Sequence, residues 1–178
     1  MKGEPGMLGL RFALLQAHQE RWLIDGSLDW LWVAAEQARM PVALLGGHLL
    51  EAIPVIAQRH PALKLIIDHF GRPDKTWSNL PALLATAKFP NVALKATGAP
   101  GYSAEAYPHR DIHGHIRKLY DAFGPERMFW GTDITRMPIS WKQCVTMFTE
   151  ELAWLSTSDK ALIMGGALCK WLGWEARS

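Results

Sequence analysis

Cysteine is scarce in this sequence. Cys144 and Cys169 are the only two, too few for a disulfide framework and wrongly spaced for a zinc knuckle, so reduced thiols in a cytoplasmic protein are expected. An excess of one charge is lacking as well. Nineteen basic side chains against 17 acidic ones leave a formal charge of +2. That is too small to mark a nucleic-acid partner, and the basic residues do not cluster with aromatics as a binding groove requires. No run approaches the roughly 18 apolar residues of a transmembrane helix, so no membrane partner is expected. The opening "MKGEPGMLGLRFALL" carries an early glutamate and proline and is broken by Arg11, which argues against a secretory signal. Blocks rich in Ser, Gly, Pro or like charge are missing too, which excludes a disordered chain or a visible linker. With 178 residues, 49% of them apolar, the expectation is one globular domain over residues 1–178.

What is present is alternation. Five apolar runs read as strands: "LGLRFALL" (8–15), "PVALLG" (41–46), "LKLIID" (63–68), "NVALKATG" (91–98) and "RMFWGTD" (127–133). Their near-continuous hydrophobicity fits strands covered on both faces, as in a parallel sheet. Helical patterns separate them, over 27–39, 48–61, 79–88 and 111–124, with two more over 140–155 and 158–173. Ser27, Ser140 and Ser158 are candidate N-caps, and Gly124 is a candidate stop. Pro54 must lie in a first turn or kink its helix. The nine tryptophans fall mostly on helices at core-like spacing and are read as packing residues. Repeated β-then-α units require a parallel sheet with right-handed crossovers, either an open doubly wound sheet or a barrel. The strand ends, near residues 14, 45, 68, 97 and 133, are spaced much like the units of a (β/α)8 barrel, which average ~31 residues. The expected class is therefore α/β, a partial barrel of about five parallel strands with flanking helices.

Catalytic groups in such folds sit at or just beyond the C-terminal ends of strands. His69 follows "LKLIID" and Asp133 follows "MFWGT". Either residue alone reads as a turn former or a hydrogen-bonded structural group. Two of them, each after its own apolar run, point to chemistry: a shared divalent metal, or a carboxylate base acting on water beside an imidazole. Asp68 and His69 acting together as an acid–base pair is disfavoured, because adjacent strand residues point to opposite faces.

"LKLIIDHFGRPD", "AFGPERMFWGTDITRMP" and "IMGGALCKWLGW" together resemble the later part of the amidohydrolase-2 family. These are TIM-barrel hydrolases and decarboxylases that include aminocarboxymuconate-semialdehyde decarboxylase and 2-pyrone-4,6-dicarboxylate lactonase. The resemblance covers nearly the whole chain. It implies His69 in metal or substrate contact, and Asp133 as metal ligand or general base. It also implies hydrolysis or decarboxylation of a small carboxylate-bearing substrate such as a lactone. Arg11 and Arg72, near strand tips, are the expected substrate anion contacts, with Arg136 a further candidate.

The departures from the family pattern bear on the cofactor. The family opens with an H-x-H pair on its first strand, whereas this chain starts near the fourth. The "HGH" at His113 and His115 falls within a helical pattern and reads as surface histidines. The fifth-strand histidine of metal-dependent members falls on Leu45, and His48 reads as a helix-start residue. A catalytic zinc needs three protein ligands. His69 and Asp133 supply two, so binding of a divalent metal such as zinc is expected to be weak or absent, as in the metal-free lactonase branch. Lys95 reads as an ion-paired interior residue. Five strands of eight leave two bare edges, which predicts self-association or a complementing N-terminal segment. A catalytically silent half-barrel, serving as an assembly partner or pseudoenzyme, is the alternative to an enzyme.

Overall fold

The computed structural model describes residues 6–46 and 48–174. Five parallel strands form one sheet in chain order: β1 (Leu10–Leu14), β2 (Val42–Gly46), β3 (Leu65–Ile67), β4 (Val92–Thr97) and β5 (Met128–Gly131). The register runs straight across them: Phe12 pairs with Leu44, Leu44 with Ile67, Ile67 with Leu94 and Leu94 with Met128. Order without reversal is the order of a barrel wall, because a doubly wound sheet turns back at a switch point. The architecture is five units of a TIM barrel with helices packed outside.

β2, β3 and β4 are short and apolar because both faces are covered, whereas β1 exposes Arg11 and Ala13. Val42, Leu44, Leu65, Ile67, Val92 and Leu94 are fully buried on the outer face. There they meet helices α2 (Asp29–Gln37), α3 (Leu49–Arg59), α4 (Leu80–Thr86) and α5 (Arg110–Phe123). Each such side chain contributes about 1.5–3 kcal/mol by leaving water. The residues between them face inward, as strand alternation demands. Ala43, Ile66, Ala93 and Phe129 form a smaller cluster there with Ala167 of the last helix, α8 (Ala167–Leu172).

Several local expectations change. A short helix, α1 (Ala17–Arg21), lies between β1 and α2. Pro54 sits inside α3: the buried stripe Leu49, Ala52, Ile53, Ile56 and Ala57 holds that helix through the lost backbone bond. The two last helical patterns are interrupted. α6 (Trp141–Thr146), capped by Ser140, passes into a π-helical turn over Met147–Glu151. α7 (Thr157–Ala161) is capped by Ser156, where Ser158 was expected, and a second π-helical turn at Leu162–Gly166 precedes α8. Trp32 is a core residue, whereas Trp30, Trp141 and Trp174 are exposed. Both cysteines are free. No described helix is long and apolar enough to cross a membrane.

Candidate functional site

β3 ends at Ile67, and the chain then reverses through four consecutive residues with positive φ: His69 (50°), Phe70 (53°), Gly71 (66°) and Arg72 (54°). Three of these carry side chains, and each is strained by about 1–2 kcal/mol in that region. Tertiary contacts hold the turn in place. Phe70 is fully buried against Trp77, with ring centroids 5.3 Å apart. The Asn79 amide donates to the Gly71 carbonyl at 3.2 Å. The turn breaks the strand alternation, so His69 follows Asp68 without lying opposite it across the sheet.

Asp68 and His69 therefore enter different environments. Asp68 is fully buried on the inner face. Arg11 Nε of β1 donates to its Oδ2 at 2.5 Å, and Lys95 Nζ of β4 stands 2.8 Å from its Oδ1, an ion contact outside hydrogen-bonding angles. Ala43, in register with Arg11, carries only a methyl group and leaves the path across β2 open. Two cations around it offset the cost of burying that carboxylate.

His69 sits over the mouth of the strands. Its Nδ1 is 2.6 Å from Thr97 Oγ1, at the end of β4, and 3.9 Å from Asp133 Oδ2, beyond the end of β5. Gly131 allows this approach, since a Cβ there would stand 2.8 Å from Thr97 Cγ2. Burial pushes the His69 imidazole below its ordinary pKa, while the Asp68 and Asp133 carboxylates pull the other way. The neutral ring is favoured.

A cavity of about 290 Å³ opens here, lined among others by Leu45, His69, Arg72, Tyr102, Asp133 and Arg136. The structure thus brings His69, Asp133, Arg72 and Arg136 together. Arg11 does not join them: its guanidinium is bound to Asp68, and it lines a different depression near α8. Thr97 was missed in the sequence, although it ends the run "NVALKAT" and the strand-end rule pointed at that position. Tyr102 gave no signal, since it lies in a turn whose partners are distant in sequence.

The donor set does not fit a catalytic zinc. Among the described residues, no group of three His, Cys, Asp or Glu side chains is placed to hold a metal. His69 and Asp133 are two, Asp68 is bound by cations, and Leu45 has no donor. His48 lies outward beside Glu51, at 3.3 Å. His113 and His115 are half-buried, which differs from the surface placement expected: His113 reaches the Pro108 carbonyl at 2.8 Å, and His115 stacks on Trp77 at 5.1 Å. They pack α5 against its neighbours.

A family model described as amidohydrolase matches residues 1–167. An L-fucono-1,5-lactonase of Burkholderia ambifaria is 27% identical over 188 residues, which cover 93% of this chain and 61% of that protein. Among solved structures, an amidohydrolase from Burkholderia multivorans with bound zinc superposes with a TM-score of 0.78 at 22% identity, over 93% of this chain and 64% of that one. A putative 2-pyrone-4,6-dicarboxylic acid hydrolase from Pseudomonas putida gives 0.76 at 22% identity, over 97% and 65%. The chain spans less than two thirds of the length of each of these proteins.

Proposed function

This chain belongs to the amidohydrolase-2 family, and from that premise we propose that it opens a small, carboxylate-bearing lactone by attack of water, with Asp133 as general base. One observation carries the reading: His69 and Asp133 face each other 3.9 Å apart at the mouth of a cavity that also presents Arg72. The similarity to a lactonase supports the choice of reaction.

Asp133, at 30% side-chain exposure, can take a proton from water. The water oxygen bonds to the lactone carbonyl carbon while the carbonyl π pair moves to its oxygen. Collapse then breaks the ring C–O bond, and the departing oxygen takes the proton that Asp133 received from water. In the tautomer whose Nδ1 accepts from the Thr97 hydroxyl, His69 carries its proton on Nε2 and can present a neutral donor to the carbonyl oxygen. The Arg72 and Arg136 guanidinium groups can hold the substrate carboxylate as forks. Arg11 is committed to Asp68 and is given no substrate contact. A divalent metal such as the zinc of the B. multivorans protein would find two donors, His69 and Asp133, so weak binding is expected. No step above depends on it.

The test is turnover of a panel of aliphatic, sugar and pyrone-type lactones. Asp133→Asn is expected to lower kcat by about 10²–10⁴-fold, the range of general acid–base catalysis, with an unchanged circular dichroism spectrum. Inertness of the folded wild type across the panel overturns the proposal and favours the silent half-barrel.

A further inference from the structure

The same cavity carries an aromatic hydroxyl in its wall. Tyr102 closes the turn Ala99–Tyr102 after β4 and lines the cavity with Arg72 and Arg136. Among the described residues, nothing hydrogen-bonds its hydroxyl, yet the side chain is not free to wander. Its ring meets Phe70 at 6.5 Å and Trp77 at 6.3 Å, nearly perpendicular to both, at 89° and 81°. Trp77 is in turn buried and stacked on His115.

The main chain on either side is tied down as well. Lys75 Nζ donates to the Gly101 carbonyl at 3.0 Å and also to the Ser103 carbonyl, so one ammonium grips the residues that flank Tyr102. The buried Ser103 hydroxyl donates to Asp111 Oδ1 at 2.5 Å. A hydroxyl held in one position in the wall of a cavity can meet a ligand there. Burial pushes the phenol pKa up, against the pull of Arg72 and Arg136, so the hydroxyl remains a donor at neutral pH.

We propose that Tyr102 is a substrate-contacting, specificity-determining residue and that Lys75 is the positioning residue that holds it. The hydroxyl donates to an uncharged oxygen of a polyhydroxylated acid or its lactone, whose carboxylate lies at Arg72 and Arg136. This rests on the reading of the cavity as the substrate site, and it narrows the substrate class. Two cations bind any carboxylate, whereas a fixed neutral donor adds a hydrogen bond for a ligand with a hydroxyl or ring oxygen at the matching place.

Calorimetric titration with two probes tests the idea without requiring turnover. Gluconate is a hydroxylated six-carbon acid, and hexanoate has the same length without hydroxyls. The wild type should bind gluconate more tightly. Tyr102→Phe keeps the ring packing and should weaken gluconate about tenfold, the usual effect of one lost hydrogen bond, while leaving hexanoate unchanged. Lys75→Met should reproduce that selective loss and Lys75→Arg should restore part of it. The double variant Tyr102→Phe with Lys75→Met should be no worse than Tyr102→Phe, because residues acting through one another do not add. Equal loss for both acids, no change in either, or no gluconate binding by the wild type overturns the proposal. Selective gluconate binding in a protein that turns over no lactone would sink the proposed reaction and leave this inference standing. Lactone turnover with an indifferent Tyr102→Phe would do the reverse.

Discussion

Asp68 and His69 show how two neighbouring titratable residues come to serve different ends. Asp68 is bound from two strands, and its replacement would leave Arg11 and Lys95 facing each other without a counter-charge. Both cations are partly exposed, with side-chain accessibilities of 48% and 25%, so water would offset part of the loss. Asp68→Ala is expected to cost about 3 kcal/mol, the low end for breaking a buried pair, measurable by urea unfolding. Thr97→Val keeps the shape and removes the hydroxyl beside His69 Nδ1. It should lower kcat about tenfold, as expected for one lost orienting hydrogen bond, with little change in unfolding midpoint. Asp74 caps the continuation of the same loop. Its carboxylate accepts from the Ser78 and Thr76 hydroxyls and from both their backbone N–H groups. Ser78 above all, then Thr76, holds the acid well below its ordinary value of 3.8. A depressed carboxylate stabilises the fold above the unfolded value and loses that contribution as pH falls through the folded one. Unfolding followed against pH should therefore steepen below about pH 4 in the wild type and flatten in Asp74→Asn. Of these residues, His69 and Asp133 were legible as strand-tip residues. Thr97 and the Arg11–Asp68 pair were not, because nothing local in "LGLRF" or "ALKAT" says what stands across the sheet.

At the scale of elements, apolar runs marked every strand to within a few residues, since a strand covered on both faces must be continuously apolar. Close packing then imposes demands that the run alone does not reveal. Gly46 is in register with Leu14, and a Cβ there would stand 2.6 Å from the Leu14 carbonyl oxygen. Gly46→Ala should therefore displace β1 or cost about 1–3 kcal/mol by overpacking, seen as a lower unfolding midpoint and earlier amide exchange in β1. The helices were less legible than the strands. A 3.6-residue period does not distinguish a continuous helix from two short ones joined by a π-helical turn. At the end of the chain the break falls on Leu162–Gly166, where Gly165 leaves helical geometry. Pro54 shows the opposite: a residue that should end a helix is carried through because five buried side chains outweigh one missing hydrogen bond.

For the molecule as a whole, the sheet order β1-β2-β3-β4-β5 leaves β1 and β5 with one neighbour each among the described residues. Neither edge carries a proline, and the inner face beside them is only partly covered by α8. We expect the 178-residue chain to self-associate with rising concentration in analytical ultracentrifugation. Ala13→Lys, which places a charge on exposed β1, should shift it toward the monomer, as lysine does on natural edges. Concentration-independent monomers would speak against pairing through these edges.

Apolar patterning was enough to mark the strands, their alternation with helical segments and which two tips bear a histidine and a carboxylate. Those are one-dimensional properties, set by apolar patterning and chain direction. Which groups meet depends on the folded sheet: Thr97 against His69 across 28 residues, and Arg11 against Asp68 across 57. Folding also places the tyrosine after β4 in a wall that the turn after β3 completes. Contacts of that kind depend on register, on the small residues that let strands approach and on a strained reversal after β3, and they take their geometry from the assembled sheet.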